Sequence, residues 1–454
     1  MFQRLAWFSP MPPARSGVAA VSAGLIPALR AWFEVDVFVE RTPAPPAPFQ
    51  TDTARSAHDF VWLHRRAPYD LVIYQLGNAS VHDYMWPYLF RYPGLVVLHD
   101  GRVHHARAAA LLRQGRARDY RSEFAACHPE AADGLAELAV AGFDNPIHYN
   151  WPMTRLIAAR SRMCAVHATR LAEALRAEVP GAAVERIALG HGAPADTAAR
   201  RARVRARCGI PADAIVFGCF GGLSPEKRLP QILSAFAAAR RWAPSARLLL
   251  GGAVARHHDL ESDIRRHHLA EAVIVTGYLE SDDELDAHIA ACDVALNLRW
   301  PTAREVSGPW LRCLAAGVPT VITQLSHLTG VPWLDPRTWR PSTAVAGGQD
   351  AAPVSVGIDV LDEDHSLRLA MRRLARDSAL RGDLAAAGLA WWRARHSHAR
   401  MIEDYRRVIA LAIDRPAPAP DGLPAHLIDD GTRTLEHELA GFALPNPLLY
   451  GVMP

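Results

Sequence analysis

The chain has 454 residues, half of them hydrophobic and 21% charged, with a formal net charge of +3. These values describe a globular protein of about two to three domains. They argue against nucleic acid as the main partner, because the many arginines are dispersed rather than gathered into one stripe.

From its start at Met1, the chain shows no apolar h-region of a secretory signal, and no stretch approaches the ~18 apolar residues of a membrane span. A cytoplasmic location is expected, with peripheral contact at the inner membrane face left open. Short apolar runs recur at Leu5–Phe8, Val35–Val39, Leu71–Gln75, Leu95–His99, Met163–His167, Val184–Leu189, Ile215–Phe220, Leu248–Gly251, Val273–Thr276, Val294–Leu298 and Thr320–Thr323, with helical patterns between them. That alternation predicts an α/β fold of βαβ units with parallel strands. So many strands exceed one open sheet, so two Rossmann-like sheets are expected. Five of the loops after these runs are glycine-rich or polar enough to carry chemistry.

The first is Ser9–Gly17, after the first strand; it lacks the G-x-G-x-x-G of a dinucleotide fold, which argues against a dehydrogenase. Next come Gln75-Leu-Gly-Asn78-Ala-Ser-Val-His82 and Leu98-His99-Asp100, which put Asn78, His82, His99 and Asp100 at strand ends. A His–Asp step there suits ligand contact; a loop histidine with a local hydrogen bond is the plainer reading. A break at Gly190–Pro194, followed by an Arg- and Ala-rich stretch to Cys208, marks the interdomain linker. Domains are therefore drawn at 1–192 and 205–395.

The loop Gly221-Gly222-Leu-Ser-Pro-Glu-Lys227-Arg228 follows an apolar strand and precedes a helix, with either Ser224 or Leu229 as the cap. Lys227 is the only lysine among fifty basic residues. Cations at the positive end of a helix serve stability poorly unless an anion lies between them, so Lys227 and Arg228 with the loop amides suggest a diphosphate cradle. Two solvated surface cations are the alternative. Asp282-Asp283 begins a helix and needs no metal. The segment Glu305-Val-Ser307-Gly308-Pro309 through Gly317 then reads as a short helix capped at Ser307 or Gly308, its amino end at a strand's carboxyl edge. Glu305 could accept hydrogen bonds from sugar hydroxyls or merely favour the helix start. Helical patterns follow at Leu367–Ala386 and Met401–Ala412, the latter with Met401, Tyr405, Val408, Ile409 and Ala412 on one face. Residues 415–454 form a proline-rich tail that lies on the surface or reaches a partner or a second copy. The six cysteines form no CxxC and read as buried thiols of a reducing compartment. The three histidine doublets read as solvated helix faces, and no metal is expected.

Together, the first loop Pro-Pro-x-x-Ser-Gly-Val-Ala, the Leu-His-Asp step, the Gly-Gly loop with Glu-Lys, and Glu305-x-Ser-Gly-Pro with Ala-Ala-Gly-x-Pro resemble a family-4 retaining glycosyltransferase across about residues 1–412. The resemblance implies the GT-B fold, two Rossmann-like domains facing across a cleft, with a last helix at 396–414 returning to the first. It implies a nucleotide-sugar donor as substrate, no cofactor, and an acceptor that the sequence does not identify. Lys227 would neutralise the donor diphosphate, with Arg228, Gly221, Gly222, Ser307 and Gly308 around it. Glu305 would lie near the donor sugar, Gly17 would allow close approach, and His99 would contact the transferred hexose. Asn78, His82 and Asp100 are acceptor-side candidates. The family's second glutamate is replaced by Arg312, and its arginine after the first loop glycine by Gly222. These departures keep two rivals in view: a sugar-nucleotide epimerase and a weakly catalytic scaffold subunit.

Overall fold

The computed structural model describes residues 2–40, 54–143, 145–302, 304, 306–325, 330–342 and 352–429. Two compact units divide the described chain: one within 1–166, 172–186 and from 406 onward, the other at 167–171 and 187–405.

In the first unit the strands are β1 (Gln3–Phe8), β2 (Phe33–Val39), β3 (Ala54–Ser56), β4 (Leu71–Leu76), β5 (Leu95–Leu98), β6 (Met163–Val166) and β7 (Val184–Arg186). They form one parallel sheet in the order β3-β2-β1-β4-β5-β6-β7. The order reverses between β1 and β4, so the crevice at the carboxyl ends of these two strands is this unit's natural ligand position. Trp7, Phe8, Phe38, Phe60 and Tyr74 are fully buried around it. Phe8 and Phe38 stack at 5.1 Å, and Tyr74 donates to the Tyr92 carbonyl (3.0 Å).

The second unit holds β8 (Val216–Phe220), β9 (Arg247–Gly251), β10 (Val273–Val275), β11 (Val294–Asn297), β12 (Thr320–Thr323), β13 (Trp333–Leu334) and β14 (Ser355–Ile358). Again all pairs are parallel, in the order β10-β9-β8-β11-β12-β14-β13, and the order reverses between β8 and β11. Successive β8 residues pack into opposite cores: Phe217 and Cys219 with the helices Leu229–Ala239 and Glu363–Arg376, Val216 and Phe220 with Ala287, Ile289 and Cys313. Both faces are covered, which explains why this strand reads as a continuous apolar run.

All eleven expected runs contain a strand, and β3, β13 and β14 are additional. Gly357 breaks the apolar run of β14 but not the strand, and glycine is needed there because a Cβ would lie 2.4 Å from the Trp333 ring. The expected linker is a difference: 197–207 is a helix of the second unit, and the division lies at 186/187. Two of its arginines are structural. Arg201 and Arg205 grip Asp293 from both sides, each at 2.6 Å, and also bond the carbonyl of Ala291.

The helix His398–Ile413 buries Met401, Tyr405, Val408, Ile409 and Ala412, the face that the sequence pattern marks. It is shared between the units. Asp404 accepts from the Ala188 amide (2.9 Å) in the second, while Arg407 pairs with Glu185 (2.8 Å) in the first. Within the expected tail, 416–429 packs onto the first unit: Arg160 donates to the Ala419 and Asp421 carbonyls, Leu427 is buried, and His426 bonds buried Glu123 at 2.7 Å. No helix among the described residues is long and apolar enough to cross a membrane.

Candidate active site

In the first unit, one buried glutamine organises the strand ends. Gln75, at the end of β4, accepts from His99 Nε2 through its side-chain oxygen (2.8 Å), and its carbonyl accepts from His82 Nδ1 (2.9 Å). Because both acceptors are oxygens, these partners fix a protonated Nε2 on His99 and a protonated Nδ1 on His82. Burial, partly offset by the Gln75 carbonyl, pushes the His82 imidazole down to about 4. Asp100 accepts from the Asn78 amide (2.7 Å), closing the loop from the other side. The Asn78 side chain in turn accepts from the Ala106 amide (2.9 Å) in the helix His104–Arg113. Gly77 sits between them, and a Cβ there would lie 2.9 Å from His82 Nε2 and 3.2 Å from Asp100 Oδ2. The structure thus brings His99, Asp100, Asn78 and His82 together at the edge of β4 and β5. It gives His82 and Asn78 internal partners that shape the loops.

Gly17 begins the helix Gly17–Leu29, capped by Ser16, which accepts from the Val18 amide (3.2 Å). Among the described residues, nothing beyond its own helix backbone and chain neighbours lies within 4 Å of a Cβ built at Gly17, so they impose no steric need for glycine there.

In the second unit, the loop after β8 departs from the open choice of cap: Ser224 caps only a short turn, and Arg228, not Leu229, is the cap of the α-helix. Pro225–Lys227 form a single 3-10 turn after Ser224, Arg228 adopts a left-handed conformation (φ 61°), and the α-helix starts at Leu229. The short turn draws Lys227 inward, where it is only 6% exposed and its Nζ donates to the Phe220 carbonyl (2.6 Å). Gly221 (φ 97°) is required by that packing, because a Cβ on it would meet Lys227 Nζ at 3.2 Å and the Pro309 ring at 3.3 Å. Lys227 and the start of the helix Gly308–Ala315 therefore flank one glycine. By contrast Gly222 has open space around its Cβ direction. Arg228 is turned elsewhere, forked onto buried Glu363 at 2.5–2.9 Å.

Ser307 is the cap of the helix Gly308–Ala315, accepting from the Trp310 amide (3.3 Å), and Gly317 (φ 66°) ends it. Glu305 lies outside the described residues. Arg312, on the same helix, pairs with Asp282 (2.6 Å) and Asp286 (2.9 Å). Burial works against its charge, but the two carboxylates outweigh it and raise its pKa. It serves here as a structural cation.

Sequence reasoning missed two residues at these edges. Gln75 is visible as the one polar residue in an otherwise apolar strand. Arg299, just beyond β11, is a second cation near the Lys227 loop: Glu226 is held below its ordinary value although burial opposes this, through a Ser224 hydrogen bond and the nearby His257 and Arg299. Burial raises the Cys219 thiol, and Lys227 and Arg299 both act against that rise. All six cysteines are free, five of them buried. Among the described residues, no group of three or more His, Cys, Asp or Glu could hold a metal ion. The expected solvated doublet at 104–105 is half wrong: His104 is fully buried, bonded to the Trp151 carbonyl (2.6 Å) and the Tyr120 hydroxyl (2.9 Å).

Residues 201–328 match the family model of glycosyl transferases group 1. No curated protein sequence matches the chain. Among solved structures, the complex of Anabaena HepE with UDP-glucose aligns at 14% identity and TM-score 0.59, over 90% of this chain and 99% of that one. Sucrose-phosphate synthase from Thermosynechococcus elongatus aligns at 16% identity and TM-score 0.57, with the same coverage. WaaG, a glycosyltransferase involved in lipopolysaccharide biosynthesis, aligns at 13% and 0.56, again over 90% and 99%. At these identities the likeness is one of fold, the two-sheet α/β architecture of GT-B glycosyltransferases.

Proposed function

We propose that this protein is a retaining glycosyltransferase that moves a hexose from a nucleoside-diphosphate sugar to an acceptor hydroxyl, with neither metal nor cofactor. The observation that carries the reading is the position of Lys227 at the switch point of the second sheet, flanking Gly221 together with the start of the helix Gly308–Ala315. The match of this unit to the glycosyl transferases group 1 model supports it. As the glycosidic bond breaks, the leaving diphosphate gains charge. Donors already fixed in place, the Lys227 ammonium and the Gly308 amide at a helix start, stabilise that charge without reorganising. Arg299 adds to the local positive field. His99, its ring held by Gln75, would face the transferred sugar, and Gly17 would let the first loop approach it closely. Glu305 would accept from sugar hydroxyls. We place the reaction in the cytoplasm, with the acceptor's identity open.

A thermal-shift screen of UDP, GDP and ADP tests the reading, since a ligand that binds only the folded state raises its melting temperature. UDP is the first choice, because HepE was solved with UDP-glucose. If none of the three shifts the transition, the proposal fails. Incubation with the matching nucleotide sugar alone separates an epimerase, which alters the sugar without an acceptor.

A further inference from the structure

We propose that His191 is a positioning residue for the donor, its Nε2 hydrogen-bonding a phosphate oxygen held at the start of the helix Gly308–Ala315. This rests on the nucleotide-sugar reading above and adds to it a residue outside every motif that suggested it.

Three observations converge on this imidazole. The first is its place: a Cβ built on Gly308 would lie 3.5 Å from His191 Nε2 and 4.0 Å from Cε1, so the ring stands directly over the first residue of the helix. The second is its fixity. The His191 amide donates to the His396 carbonyl (3.2 Å), and the His398 amide donates back to the His191 carbonyl (3.0 Å). Gly190 makes that approach attainable, since a Cβ there would lie 2.5 Å from the Ser397 carbonyl oxygen. The third is an unmet need: Nε2 is buried and has no hydrogen-bond partner among the described residues. A buried polar atom left unpaired costs about 1–3 kcal/mol, which an apolar residue at this position would avoid.

The missing partner has a defined chemistry. First-turn amides of a helix point outward without intrahelical acceptors and carry partial positive charge. On another side of the same helix start, Pro309 and Lys227 Nζ both border Gly221. A ring N–H, a helix amide and an ammonium bordering one helix start form a set of donors for an anion with several oxygens, as a diphosphate is. Burial, then the Arg312 charge one turn along the helix, holds the free imidazole down to about 3. It therefore meets the ligand as a neutral ring that can donate through Nε2.

The test uses the full chain and whichever of UDP, GDP and ADP gives the largest thermal shift, together with its free nucleoside. His191→Phe keeps a planar ring and removes the donor; His191→Gln returns an amide N–H near the place of Nε2. The diphosphate Kd, from calorimetry, is expected to rise at least tenfold in His191→Phe and to stay within threefold of wild type in His191→Gln. The nucleoside Kd, from NMR titration, is expected to stay within twofold in both. An unchanged diphosphate Kd in His191→Phe overturns the assignment, and so does an equal rise for diphosphate and nucleoside, which is the mark of a distorted site. Wild-type protein that binds no nucleotide refutes the glycosyltransferase reading instead.

Discussion

Replacing Lys227 by Met removes the ammonium but keeps most of the side chain's volume, and the structure assigns opposite signs to its two effects. In the free protein Lys227 is nearly fully buried and Nζ donates to the Phe220 carbonyl. Holding a charge there costs desolvation, which Met relieves, while the lost hydrogen bond to a charged donor is worth about 1.5–3 kcal/mol. These terms nearly cancel, so unfolding free energy should change by no more than about 1 kcal/mol, or roughly 2–4 °C in Tm. In the nucleotide complex the balance is different. One unit charge at about 4 Å and an effective dielectric of about 20 contributes about 4 kcal/mol, part of which is offset by desolvating the ligand. A net loss of about 1.4–3 kcal/mol, or about 10- to 150-fold in nucleoside-diphosphate Kd, is therefore expected. Calorimetric titration and thermal melting of the same preparation measure both. A fall in Tm of more than 8 °C with unchanged affinity would make Lys227 a purely structural cation and refute the reasoning.

Gly222→Arg should fold normally, because nothing crowds that Cβ, and should bind the nucleoside diphosphate several-fold more tightly; an unchanged Kd would show that the position does not face the ligand. Arg228→Ala leaves the Glu363 carboxylate buried without its fork, which should cost about 3 kcal/mol in denaturant unfolding; if nucleotide affinity falls while stability holds, Arg228 belongs to the donor site instead. His82 has a folded-state pKa of about 4, below its value in the unfolded chain, so the unfolded state takes up more protons as pH drops from about 6.5 to 4. Its contribution to stability is present at neutral pH and fades through that window, at up to about 1.4 kcal/mol per pH unit. His82→Asn should reduce the slope of stability against pH by about one proton, and an unchanged slope would show that the ring does not titrate in this way. Deleting residues 416–454 should lower the melting temperature by several degrees through loss of the Leu427 and His426 contacts, and a cut chain that melts like the full one would make those contacts incidental.

The two sheets were legible because their strands are apolar runs covered on both faces, and turn chemistry at Ser307 and Gly317 marked one helix almost to the residue. The edge strands β3 and β13 were missed because two or three residues carry no period to detect. Arg228 looked like a ligand cation because its partner, Glu363, is distant in sequence. The same distance hid Arg201 and Arg205, whose shared Asp293 turns an apparent linker into a packed helix. Among the candidate residues, Lys227, His99 and Asp100 could be picked out from their neighbours in the chain, but His191 could not. Its meaning comes from Gly308, which only the fold brings to it.

The helix shared by both units sets an order of assembly. The first unit takes its amino-terminal strands early in synthesis but depends on residues from 406 onward, while 187–405 form the second unit in between. A growing chain therefore has every strand of the first sheet long before it has the helix end and the segment that bury Val408, Ile409 and Leu427. The second unit is complete first, and the part begun at the ribosome is the last to be finished. Until then, the surface that the carboxyl-terminal segment covers stays open to solvent, a natural place for a chaperone to hold the nascent chain.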